Sequence, residues 1–238
     1  MNTFAIVAGI ASIIGVFIAL ATTHWGRQII TDCTRGMRVP LLGIRMVSIG
    51  VYDFFDSRDA LTKKQKSTRA IEYLSPATKE IGIIALSLNY SIVHQNLHDE
   101  FRKLLKTKPD LKIYLFLLNP KSLILPTIAL ASGRSAEELK DYIEQSLSRL
   151  NKMYAALDSS EQNRFHLRLY DTYVANSVLV VDPYEKKGRI LIENYLYKVP
   201  IEGRYSIECE RQGSPMFEKV RTAYEHFKED FASVVGIS

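Results

Sequence analysis

Ile81-Gly-Ile-Ile-Ala-Leu-Ser-Leu88 decides the fold. The run is apolar as far as Leu86 without alternating, the pattern of a strand covered on both faces, as in a parallel sheet between layers of helix. On its C-terminal side, Val93, Leu97, Phe101, Leu104 and Leu105 recur at helical spacing and stop short of Pro109. Lys112–Leu118 (KIYLFLL) is then a second apolar strand, ended by Asn119-Pro120. On the N-terminal side, Thr68–Leu74 reads as a short helix limited by Pro76. Ile44–Tyr52 (IRMVSIGVY) has the β-branched content of a first strand, with a polar stretch from Asp53 to Asp59 behind it.

Further along, Ser135-Ala-Glu-Glu138 is a capping box that opens the longest helix, with Leu139, Tyr142, Ile143, Leu150, Met153, Tyr154 and Leu157 on one face. Past Asn163 the pattern changes to Phe165–Tyr170, Val178–Asp182, Arg189–Glu193 and Arg204–Glu210, four strands whose short connections predict antiparallel pairing. Ser214-Pro215 is an N-cap and N1 proline ahead of a final helix carrying Phe217, Val220, Tyr224, Phe227 and Phe231. The order βαβαβα followed by ββββα predicts one α/β domain with a mixed sheet over residues 44–238.

The chain of 238 residues holds 31 basic and 26 acidic side chains, and none of them lies in residues 1–26. Phe4 to Thr23 forms an uncharged stretch that as a helix is about 30 Å long, the thickness of a bilayer's hydrocarbon core. A cleaved signal peptide is the rival reading, but Met1-Asn2-Thr3 has no basic n-region and the apolar run exceeds a signal core. Trp25 suits the interface, and Arg27, Arg35, Arg38 and Arg45 follow it. The expectation is a single transmembrane helix over residues 4–23, a juxtamembrane linker over 24–43, and the domain on the cytoplasmic face of the inner membrane with the N-terminus outside.

Cys33 and Cys209 have no framework spacing and read as reduced thiols. The net charge of +5 is modest. Its densest basic run, Lys63-Lys64-Gln65-Lys66, lacks the aromatics of a single-strand groove, so nucleic acid is not an expected partner. There is no GxGxxG, no GxxxxGK[ST] and no GxSxG. His94 and His98 have a metal-ligand spacing, but Gln95 stands where a zincin has glutamate and no third ligand is placed, so no metal or cofactor is expected. His226-Phe-Lys228 reads as a surface pair.

Ligands of parallel sheets gather outside the carboxyl ends of the strands. That rule selects the segment from Asp53 to Arg58, with Arg58 a candidate phosphate fork, then Ser87 and Asn89, then Asn119. In the second half, Ala175-Asn-Ser177-Val-Leu-Val-Val-Asp182 is an apolar strand entered by small polar residues and left by an aspartate. With the element order, this strand resembles the phospholipase D-like superfamily, whose signature is HxKxxxxD on a strand at the same place. The resemblance spans roughly Ile44 to Asp230. It implies a fold whose reaction uses one histidine as nucleophile, a second as general acid and a lysine on phosphate oxygens. It also implies a homodimer, because single-half members pair.

Laid on that signature, Asp182 matches, whereas Ala175 stands at the histidine and Ser177 at the lysine. Alanine offers no nucleophile and serine no charge, so the superfamily's own reaction is not available through these positions. The resulting expectation is a catalytically degenerate, membrane-anchored sensor or effector, of the kind used in bacterial signalling or antiphage defence. It would bind a phosphate-bearing ligand or a protein partner through Arg58, Ser87, Asn89, Asn119, Asn176, Ser177 and Asp182. The alternatives are an active phosphodiesterase, nuclease or phospholipase drawing on Asp182, Glu193 and His166, and a membrane-tethered interaction scaffold.

Overall fold

A computed structural model describes residues 46, 48–55, 70–195, 197–199, 204–211 and 214–231. The chain divides into two compact units, Met1–Ser48 and Ile49–Ser238. The expected membrane helix at 4–23, the linker at 24–43, Cys33, the run at 63–66 and Arg58 all lie outside the described residues. Among the described residues no helix is long and apolar enough to cross a membrane.

The second unit is a mixed α/β structure on one seven-stranded sheet. In chain order its elements are β1 (Val51–Phe55), α1 (Ala70–Leu74), β2 (Glu80–Ala85), a π-helical turn (Tyr90–His94), α2 (Leu97–Thr107), β3 (Lys112–Leu118), α3 (Leu125–Ala131), α4 (Ala136–Ala155), α5 (Ser159–Gln162), β4 (Phe165–Tyr170), β5 (Asn176–Val181), β6 (Arg189–Asn194), β7 (Ser206–Glu210) and α6 (Pro215–Asp230). The strand order is β1-β7-β6-β5-β2-β3-β4. Strand β2 is parallel to β3 and β3 to β4, and every other neighbouring pair is antiparallel.

Every residue of β2 is buried, as its unbroken apolar run requires. Ile81, Ile83 and Ala85 face one core with Phe101 and Leu105 of α2, and Ile84 and Leu86 face the other with Phe217 and Tyr224 of α6. Helix α4 serves both layers, through Leu139 and Ile143 on one and Leu150 and Met153 on the other. Its start is the expected cap, with Glu138 N–H donating to Ser135 Oγ at 3.0 Å.

The structure corrects the expected elements in four places. The first strand begins at Val51, because Gly50 turns the chain at φ +87° and Ser214 Oγ donates to the carbonyls of Ile49 and Gly50 at 3.2 Å. A Cβ at Gly50 would overlap Ser214, so only glycine seats that contact. The helix expected from Val93 is broken by Asn96 in the left-handed region at φ 53°, leaving His94 and His98 on separate turns. Helix α3 was not anticipated, since its seven residues are too few to show a period. Finally, β4 joins the parallel half, and of the four strands expected to pair antiparallel only β5, β6 and β7 do so, with β1 beyond them. The short chain between β4 and β5 crosses from the far edge to the middle of the sheet, which a reading based on connection length cannot detect.

Helix α6 is fastened to the sheet by a buried polar knot. Tyr224 Oη donates to Glu80 Oε1 at 2.9 Å, and Lys228 Nζ donates to the same carboxylate at 3.1 Å and lies 4.5 Å from the Tyr114 ring centroid. His226 is exposed, so of the two residues expected at the surface Lys228 is not there. Gly82 gives Tyr224 its seat, since a Cβ would overlap the phenol ring. Gly82→Ala should therefore cost about 1–3 kcal/mol of stability through overpacking, read as a lower urea midpoint at unchanged slope.

Candidate functional site

The carboxyl ends of β2 and β6 and the amino ends of β5 and β7 meet on one side of the sheet. The pairings Ile84↔Val178, Ser177↔Glu193 and Glu193↔Ser206 set them level with one another. A crevice of about 250 Å³ opens there, lined by Ser87, Asn89, Tyr90, Ser91, Arg134, Tyr142, Ser177, Glu193, Tyr195 and Arg204 among others. Two guanidinium groups against one carboxylate give the lining a positive balance.

Each side chain is fixed by its element. Leu88, a bulky residue at φ 56°, turns the chain sharply off β2 and brings Asn89 inward. Asn89 Nδ2 donates to the Tyr142 carbonyl at 3.4 Å and to Gln145 Oε1 at 3.2 Å, tying the turn to α4. Ser87 Oγ accepts from Asn89 N–H at 3.4 Å. Ser177 Oγ donates to the Ile84 carbonyl at 3.2 Å and is hydrogen-bonded to Tyr195. Tyr195 Oη accepts from Leu86 N–H at 3.3 Å. Burial, and after it the Glu193 charge, push that phenol up to about 12.

The cations sit on rings. The guanidinium of Arg204 lies 5.0 Å from the Tyr195 centroid, with Nη1 3.8 Å from Glu193 Oε1. Arg134 lies 5.2 Å from the Tyr142 centroid and pairs with Glu138 at 3.6 Å. Guanidinium planes stack well on aromatic faces, which helps to hold each fork in place.

Of the residues expected at a site, Ser87, Asn89 and Ser177 come together in this crevice. Asn176 opens β5 opposite Asn194 and is not among the lining residues. Asn119 closes a turn at the end of β3, its Oδ1 accepting from Lys121 N–H at 2.9 Å and its Nδ2 donating to Asp171 at 3.3 Å. Asp182 is at the opposite end of β5, about 17 Å from Ser177 at strand rise. There its carboxylate accepts from Thr78 N–H (2.8 Å), Thr78 Oγ1 (2.9 Å), Lys79 N–H (2.7 Å) and Glu80 N–H (2.9 Å). It is thus not among the residues that line the crevice; four donors meet its carboxylate, which anchors the chain that enters β2.

Arg134, Tyr142, Tyr195 and Arg204 were not anticipated. Glu193-Asn194-Tyr195 ends the apolar run of β6 as Ser87 and Asn89 follow that of β2, so the same strand-end rule would have found Tyr195. Nothing in sequence marks Arg204 or Arg134, which reach the crevice from other elements. His166 lies away from it on β4, stacked on Tyr114 at 4.6 Å and 17°. Among the described residues no group of three metal-ligating side chains converges. Cys209 is buried, and burial with the Glu208 charge pushes its thiol up to about 11, which makes it inert. A scan against protein-family models and a search of curated proteins found no match to the chain.

Two outcomes follow from these placements. Asp182→Ala should destabilise the domain by about 3 kcal/mol or more in urea unfolding, because several donors lose a charged acceptor at once. His166 is held below its ordinary value of 6.5, first by burial and then by Arg168, Lys112 and Lys228. The unfolded chain therefore takes up this proton before the folded one does. Stability should hold above pH 6.5 and fall on acidification from there towards the folded value. His166→Gln should remove that part of the slope in unfolding measured across pH.

Proposed function

We propose that the chain is a membrane-anchored sensor or effector with a catalytically degenerate phospholipase D-like domain, which binds a phosphate-bearing ligand in the crevice. The anchor is the apolar run at 4–23, and the domain faces the cytoplasm, as the arginines after it favour. The domain works as a homodimer, as the superfamily resemblance implies. The observation that carries this reading is the crevice itself. Ser177, at the lysine position of the resembled signature, lines it, while Arg134 and Arg204, stacked on tyrosines, supply positive charge from other elements.

Glu193, His166 and Asp182, the trio an active hydrolase would draw on, are dispersed between the crevice, the far strand and the opposite end of β5. General acid and base must lie within hydrogen-bond reach of one substrate, so this dispersal favours binding over catalysis. The scaffold reading has one observation in its favour. Around α3, Leu123 is 97% exposed and Leu130 60%, an apolar surface suited to a protein partner.

The test is ligand-dependent thermal unfolding of the full chain in detergent micelles, against nucleotides, cyclic nucleotides and phospho-sugars. A ligand at one hundred times its Kd adds about 2.7 kcal/mol. The expected result is a raised midpoint with at least one phosphate-bearing compound, lost in Arg134→Ala, and no hydrolysis of bis-p-nitrophenyl phosphate. A flat panel would overturn the sensor in favour of the scaffold, and turnover that disappears in Glu193→Gln would establish the enzyme.

A further inference from the structure

We infer that the exposed apolar face of α3, together with the turn after β6, docks on a lipid bilayer and meets anionic headgroups there. This rests on the reading of residues 4–23 as a membrane anchor, and it adds a second, reversible contact between the domain and that membrane.

From Ser122 to Gly133 the chain carries no charged residue. Leu125, Ile128 and Ala129 of this stretch are buried in the core. The other side presents Leu123, Pro126, Thr127 and Leu130 to the outside, at the i, i+3, i+4, i+7 spacing of one helical stripe. Leu123 is 97% exposed and Leu130 60%, so contact with an apolar medium would remove both from water.

A second tip adjoins the first. Lys198 N–H donates to the Ala131 carbonyl at 2.7 Å, which ties the turn after β6 to the end of α3. The turn carries Tyr197, 65% exposed, and Lys198, whose ammonium lies 5.3 Å from the Tyr197 ring centroid. Lys198 holds a left-handed conformation at φ 54°, a strain that marks the turn as a place where side chains are presented on purpose. Tyr173, also largely exposed, stands just before Ala175, whose carbonyl accepts from Tyr195 N–H at 3.0 Å.

The make-up of this face selects a bilayer as its occupant. Tyrosine rings favour the membrane interface, and lysines reach from it to the headgroups along their apolar stems. Lys121 and Lys198 flank α3, both are exposed, and among the described residues neither is paired with a carboxylate. Of the acidic groups nearby, Asp171 is engaged by Asn119 at 3.3 Å and Glu138 by Arg134 at 3.6 Å. An anionic leaflet attracts lysines left in this way. A leucine as exposed as Leu123 is a projection and not the wall of a groove, and a fluid surface receives projections without a matching shape. A stable protein interface needs that match. The anchor keeps the domain beside the bilayer, so even a weak contact is populated.

The experiment places an environment-sensitive nitrobenzoxadiazole label on the full chain, at Thr127→Cys or, as a control, at Lys186→Cys in the exposed turn after β5. Both carry Cys33→Ser, and Cys209 is buried. The protein is reconstituted in phosphatidylcholine vesicles with about 30% phosphatidylglycerol. Lipid bearing a doxyl quencher should quench the Thr127 label at least about threefold more than the Lys186 label. The excess should disappear in Leu123→Ser with Leu130→Ser, in Lys121→Gln with Lys198→Gln, and in about 0.5 M salt.

Equal quenching of the two labels in a chain that alkaline carbonate cannot extract overturns the inference and leaves the anchor in place. Shielding that grows with protein concentration but resists doxyl lipid assigns the face to a second copy and overturns it as well. Carbonate extraction of the chain overturns the anchor reading, and the same pair of labels then decides docking on added vesicles. Where Thr127→Cys does not fold, Leu130→Cys carries the label.

Discussion

The carboxylate of Asp182 is the constraint on which the rest of the domain depends. It gathers the amides of residues 78–80 and the Thr78 hydroxyl, and so fixes where β2 begins against the end of β5. Side chains alternate faces along a strand, so a slip of one residue between β2 and β5 would turn each core face outward. Asp182 itself takes a left-handed conformation at φ 49° and donates its amide to the Glu80 carbonyl at 2.8 Å, which closes the junction from both sides. From this end the register runs to Ile84↔Val178 and sets Ser177 and Glu193 side by side at the other.

The two ends of β5 consequently have different work. One end is a clamp of saturated hydrogen bonds, and a group so fully engaged is poorly suited to meeting a ligand. The other end opens on a crevice where charge is held by stacking and by one buried ion pair. Helix α4 links the crevice to both cores. Tyr142 and Gln145 reach the turn after β2, Leu139 and Ile143 pack on one face of the sheet, and Leu150 and Met153 pack on the other. A ligand drawing on Arg134 and Tyr142 would therefore act on a helix seated in both layers. That is a reasonable place for a binding event to be felt through the whole domain.

Much of the fold was legible because its strongest signals are local and repeated. The apolar runs of β2 and β3, the serine caps at 135 and 214, and the helical stripe of α6 each declare their element without knowledge of the rest. The break at Asn96 and the shift of β1 to Val51 were not legible. Each depends on one residue in a left-handed conformation, and at Gly50 also on a serine 164 positions away. The site divides in the same way. Ser87 and Asn89 follow from the rule for strand ends and Ser177 from the resembled signature, whereas Arg134 and Arg204 enter from the chain just ahead of α4 and of β7. Asp182 was selected for its type and its place after a strand, but its four donors come from the opposite side of the sequence.

By itself, the sequence determined the element types, the α/β class, the mixed character of the sheet and the uncharged run at 4–23, because periodicity, caps and apolar length act over a few turns of chain. Only the tertiary structure decided that β4 pairs parallel with β3, that β5 lies antiparallel to β2, and that Asp182 is a clamp. It alone brought Glu193, Tyr195 and Arg204 against Ser177. The physical reason is that strand order and side-chain neighbours are set by the packing of two helical layers and by hydrogen bonds across a hundred residues, for which the linear pattern carries no marker.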